Sequence, residues 1–148
     1  MAPCRPTRGG LQPLRVSAGP PGALSQAYID AVEARAESVG SAAFVREFGR
    51  MQAMARIKRE TPPELRGREI FISMADLKRQ LLPGVQLDAS RNLFKELTQR
   101  LDRIVLRALA ESRLVQGCVS VNMNVANLLT DDFARLAQRL YDRDNSEL

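Results

Sequence analysis

The sequence predicts an α/β fold in which two to three parallel strands are interleaved with helices and preceded by N-terminal helices, and three observations carry that expectation. Glu69-Ile70-Phe71-Ile72 is short and rich in β-branched and aromatic residues, as strands are. Val119, Val121, Met123 and Val125 alternate with Ser120, Asn122 and Asn124, the period of a strand with two unlike faces. Between them runs one apolar stripe of helical period. Strand, helix, helix, strand, helix is the rhythm of parallel architecture, because the long connection lets two strands lie side by side in one direction. A parallel sheet this small has open edges and an uncovered face, so further sequence or a partner is expected to complete it.

Taken in order, residues 1–22 form a basic head rich in Pro, Gly and Arg, a composition with too little apolar area to bury, and they are expected to be disordered. Residues 23–49 turn helical. Leu24, Ala27, Tyr28, Ala31 and Val32 repeat at three- and four-residue spacing, and Gly40 followed by Ser41 can end one helix and cap the next; two short helices or one kinked helix fit equally. Met51 to Ile57 suits a strand by its alternation and a helix by its alanines. Thr61-Pro62-Pro63 reads as a firm break, since proline lacks a donor and restricts the residue before it.

Ser73, with Asp76 three residues on, opens a helix that Pro83-Gly84 stops. Asp88 or Ser90 then caps the longest element, whose stripe is Leu93, Phe94, Leu97, Leu101, Ile104, Val105, Ala108 and Leu109. Thr130 caps a final helix with Asp131 and Asp132 at its positive end and with Phe133, Leu136, Ala137 and Leu140 expected to face inward.

Composition narrows the function classes. The chain has 148 residues, the size of one ordinary domain, and a net charge of +5. Beyond the head the basic residues interleave with Glu and Asp along helical stretches, which marks a solvated surface and argues against nucleic-acid binding. Only two Tyr, five Phe and no Trp are present, so base stacking has few platforms. Absence of His removes the commonest general base and metal ligand. Cys4 and Cys118 are the only cysteines, the second placed in an expected buried strand, and they form no disulfide framework. No run of about eighteen apolar residues could span a bilayer, and prolines break any secretory core in the head, so no membrane association and a cytoplasmic location are expected.

From Phe44 to Tyr141 the residues resemble a family. Leu101-Asp102-Arg103-Ile104-Val105-Leu106, then Ser120-Val121-Asn122-Met123-Asn124 and Asp132-Phe133, are similar to the leucine-aspartate helix, the S-V-N-L-S strand and the following L-x-x-x-F helix of the EAL family. Upstream, Arg50-Met51-Gln52 resembles the R-x-Q that opens the first barrel strand, and Gly67-Arg68-Glu69-Ile70-Phe71-Ile72-Ser73 lies where G-x-E-A-L-L-R belongs. The resemblance implies a TIM-like (β/α) barrel over residues 50–148, incomplete here, with its site at the C-terminal ends of the strands. Active members hydrolyse cyclic di-GMP to linear pGpG with two divalent metal ions. By position Glu69 would be a metal-ligating carboxylate and Asn122 a metal-ligating amide, both oxygen donors of the kind magnesium or manganese accepts.

Departures from the pattern set the functional expectation. The signature tripeptide is Glu69-Ile70-Phe71, Ser73 replaces the arginine that would hold a substrate phosphate, and few residues follow Tyr141 to carry the family's later carboxylates, lysine and glutamine. Two oxygen ligands do not make a two-metal site. Glu69 and Asn122 are therefore read as vestigial ligands with no catalytic residue beside them, and no cofactor is expected beyond weak magnesium or manganese binding. The expectation is a catalytically inactive, truncated EAL-like module with a regulatory or scaffold role in bacterial cyclic di-GMP-type signalling, acting through a protein partner or self-association. Two alternatives stay open: a residual module that binds cyclic di-GMP or a protein partner, and a basic, mainly helical protein that docks on acidic partners.

Overall fold

Gly40 adopts a φ of +87°, a backbone that favours glycine, and divides the N-terminal helical stretch in two: α1 spans Gln26–Val39 and α2 spans Ser41–Phe48. The computed structural model describes residues 22–112 and 117–146, so the expected disorder of the head lies, Gly22 apart, outside the described residues. α1 buries Ile29, Val32 and Ala36, and α2 buries Phe44, Val45 and Phe48. The two phenylalanine rings lie 4.8 Å apart at 47°, within the range of attractive aromatic pairs.

α2 passes straight into β1 (Gly49–Lys58), which pairs antiparallel with β2 (Thr61–Ile72), Gly49 opposite Ile72 and Lys58 opposite Thr61. Gly49 permits the abrupt change, because a Cβ there would collide with the carbonyl oxygen of Val45. One open reading is decided here and one expectation corrected. Met51 to Ile57, which suited strand and helix alike, is strand, and Thr61-Pro62-Pro63 begins a strand instead of breaking the chain. The ladder steps from the Arg56–Glu64 pair to the Lys58–Thr61 pair, so both prolines fall in an irregularity opposite Ile57, where no ladder donor is required.

β3 (Val119–Val121) adds to the other side of β2 in parallel, with Glu69 opposite Ser120 and Ile70 opposite Val121. The sheet is therefore mixed, in the order β1-β2-β3, and only β2 and β3 are parallel. The expectation of two to three parallel strands fails for β1 because the two residues Arg59 and Glu60 make a hairpin, whereas a parallel connection needs a dozen residues or more. β3 is also shorter than its alternation suggests: Val125–Leu129 winds as a 3₁₀ helix. Cys118 is exposed just before β3, a correction to the buried position expected for it.

Three hydroxyl caps fall where the sequence places them. Ser73 accepts from the Asp76 backbone N–H at 3.2 Å and starts α3 (Met74–Gln80). Ser90, not Asp88, accepts from the Leu93 N–H at 3.4 Å and starts α4 (Arg91–Glu111), and Thr130 accepts from the Phe133 N–H at 3.4 Å at the start of α5 (Asp131–Ser146). Such a cap satisfies one otherwise unpaired donor and stabilises a helix by about 1 kcal/mol.

α4 is the keel of the core. Its Leu97, Leu101, Ile104, Val105 and Ala108 are buried against Ile29, Val32, Phe44, Phe48 and Leu77, each large side chain contributing about 1.5–3 kcal/mol by leaving water. Ile70 joins this cluster and Ile72, Val119 and Val121 pack on it, so one face of the sheet lies on helices. The fold is α/β with a small, open, mixed sheet. On α5, Phe133 and Leu136 are half-buried whereas Ala137 and Leu140 are exposed, so the inward face expected there is only partly covered. Among the described residues no helix is long and apolar enough to cross a membrane.

Candidate functional site

Parallel pairing brings the two sequence-predicted site residues together. Glu69 stands opposite Ser120, so Asn122, two residues on, projects from the same face of the sheet, and its side-chain N–H donates to the Glu69 carboxylate. Glu69 is half-buried and Asn122 exposed at the end of β3. To make this bond the amide presents nitrogen to the carboxylate and holds its oxygen away. The two oxygens therefore do not converge as a pair of metal ligands would. Among the described residues there is no group of three or more metal-ligating Cys, Asp or Glu side chains, so the residues present do not fit a two-metal centre.

The position where the resemblance calls for a phosphate-holding arginine is occupied by the capping Ser73. Four residues earlier lies Glu69; three residues later Asp76 is buried and pairs with both Arg50, reaching from the start of β1, and Arg79. The Ser73 hydroxyl, then the two guanidinium groups, hold the Asp76 carboxyl below its ordinary range against the opposing push of burial. Arg50 also donates to the backbone oxygens of Glu47, at 3.1 Å, and of Gly49, at 2.8 Å. Its charge is committed to fixing the α2–β1–α3 junction.

Between the ends of β2 and β3 and the side of α4 lies a cleft of about 140 Å³. Its walls are apolar, including Ile70, Met74, Leu101 and Val121, and its polar groups are Thr98, Asp102 and Asn122. Asp102 is the residue that sequence reasoning missed as an organiser. One of its oxygens accepts from the Asn124 backbone N–H and side-chain amide, both at 2.8 Å, and from the Asn127 amide at 3.1 Å. Asn127, itself buried, also donates to the Gln99 carbonyl at 3.2 Å. A carboxylate on the edge of an apolar helical stripe, with an Asn-rich segment downstream, is the signal that could have found it.

A second, wider and more open groove follows the outer side of α4 near Asn127 and Thr130. Its cations are mostly spent. Arg100 pairs with Glu33 and with Glu96 at 2.9 Å, and Arg103 meets Asp132 at 3.1 Å, leaving Lys95 as the groove's cation without an ion pair among the described residues. Asp132, expected to serve the α5 terminus, is buried and bridges Arg103 and Arg107 of α4. Burial pushes its carboxyl up, but the Arg107 and Arg103 hydrogen bonds and charges overcome that and hold it below its ordinary range.

Compared with family models, curated proteins and solved structures, the chain matches none of them.

Proposed function

We propose that this chain is a non-catalytic, EAL-like module with a regulatory or scaffold role in cyclic di-GMP-type signalling, built on part of a TIM-like barrel and acting through protein contacts. The observation that carries the reading is the Glu69–Asn122 hydrogen bond. The two side chains that the resemblance gives as metal ligands satisfy each other, and Ser73 caps a helix where a phosphate-binding arginine would stand. A framework is kept while the groups that would polarise a phosphodiester serve local structure.

The cleft beside this pair supports a scaffold over a nucleotide receptor. Its roughly 140 Å³ falls short of the ~300–1,000 Å³ usual for small-molecule pockets, and a cyclic dinucleotide is a large ligand. Exposed apolar side chains point the same way: Val125, Leu128, Leu129 and Leu140 stand in solvent, and surface of that kind favours protein partners or self-association.

The test is incubation of the purified chain with cyclic di-GMP and magnesium or manganese, with product analysis for linear pGpG. No product is expected. Metal-dependent cleavage that disappears in Glu69→Ala would sink the proposal, and an upward shift of the unfolding midpoint with cyclic di-GMP but no cleavage would replace the scaffold with a nucleotide-binding module.

A further inference from the structure

We infer that the outer edge of β1 is a docking site for an extended acidic segment of a partner protein, which adds to the sheet as a further strand. The inference stands on the sheet edge alone and does not depend on the catalytic reading above. In the order β1-β2-β3, β1 pairs with β2 on one side only, and its other edge meets no strand among the described residues. That edge is ten residues long and almost wholly exposed. An edge of this length presents a row of unpaired backbone donors and acceptors, the template that strand addition uses.

Side chains on the edge specify the occupant. Both register irregularities place the extra residues on β2, namely Arg66 in one and a second proline in the other, so the alternation of β1 runs unbroken. One face carries Arg56 and Lys58, neither ion-paired among the described residues; the other carries Met51, Ala53, Ala55 and Ile57, with Met51 55% and Ile57 82% exposed. A strand laid alongside sets its own alternate residues against these two faces. The matching segment alternates acidic with apolar residues. The same cations repel basic or like-charged strands, including a second copy of β1 in register, so the edge is guarded against indiscriminate pairing while it selects an acidic guest.

The experiment uses the full chain and a fluorescently labelled peptide of alternating glutamate and valine, as long as β1, followed by anisotropy. Saturable binding is expected, weakened roughly tenfold by the double substitution Arg56→Glu and Lys58→Glu, which reverses two exposed charges. Methylation of every second peptide nitrogen, which removes the donors a strand needs, should abolish binding to the native chain. No binding, or binding that survives either change, overturns the inference. A single-stranded oligonucleotide of equal charge binding more tightly than the peptide also overturns it, making the hairpin a contact for polyanions. Both substituted positions are exposed on the hairpin and away from the core, and an unchanged helical circular dichroism signal in the variant verifies that its fold is kept.

Discussion

Asn122 donates to the carboxylate of Glu69 across the one parallel strand pair of the sheet, and both partners keep contact with solvent. A hydrogen bond in that setting exchanges water for protein at little net gain. Glu69→Gln keeps an acceptor and removes the charge, and it should change the unfolding free energy by less than about 1 kcal/mol in urea titration. A loss of several kcal/mol would mean that Glu69 acts as a buried structural anion, against its half-buried setting.

Gly67 tells the opposite story. A Cβ added there would lie 2.7 Å from the backbone oxygen of Cys118, and that oxygen accepts from the Arg68 N–H at 3.0 Å in the first bond joining β3 to β2. Gly67→Ala must push the strands apart or bend them, so it should destabilise by about 1–3 kcal/mol, as overpacking does. Urea titration measures the loss, and amide exchange should locate it at the β2–β3 ladder.

What was legible in the sequence was local. The α4 stripe, the Gly40 break and the hydroxyls of Ser73, Ser90 and Thr130 each act within a turn or two of their own chain, and each lies where periodicity and capping chemistry put it, save that Phe94 of the stripe is exposed and Leu106, outside it, is fully buried. The hairpin was hidden because its prolines are harmless only opposite a register irregularity, which is a property of two strands together. The length of β3 was hidden for a similar reason. Asn122 and Asn124 continue the alternation in sequence, yet Glu69 claims the first and Asp102, on α4, the second. Glu69 and Asn122 could be named as a pair from the resemblance, whereas their bonding to each other depended on the parallel register.

Leu97 is fully buried in the core cluster that α4 shares with the N-terminal helices. Leu97→Ala removes buried methyl groups and leaves a cavity, at a cost of about 2–5 kcal/mol. Thermal and urea unfolding should both show the loss, with a reduced midpoint and an unchanged urea slope if the transition stays two-state. If α1 and α2 melted separately from α4, two transitions would appear in place of one.

Ser73→Ala tests whether this position has any role beyond capping. Loss of the cap and of the hydroxyl beside Asp76 should cost about 1 kcal/mol, and Ser73→Thr, which keeps the hydroxyl, should restore most of it. Rescue by threonine, read as the urea midpoint, fits a capping hydroxyl alone.

The acid limb of stability should belong largely to the Asp132 bridge. Its carboxyl is held below its ordinary value in the folded chain by Arg107 and Arg103, against the push of burial. A group depressed in this way adds stability that is fully present above its unfolded value, about 3.9, and is lost as pH falls through the lower folded value. With no histidine in the chain, no imidazole titrates between pH 5 and 8, so the unfolding midpoint should be nearly flat there and fall below about pH 4. Asp132→Asn keeps the shape but leaves Arg103 without its anion and Arg107 with only Glu33, at 4.0 Å, and because both guanidiniums retain some solvent the cost at neutral pH should be about 1–2 kcal/mol. The variant must also lose less on acidification than the parent, since the group that titrates is gone. Parallel acid limbs for parent and variant, recorded as unfolding midpoint against pH, would show that the bridge does not govern the acid response and would shift attention to Asp76, whose carboxyl is depressed by Ser73, Arg50 and Arg79.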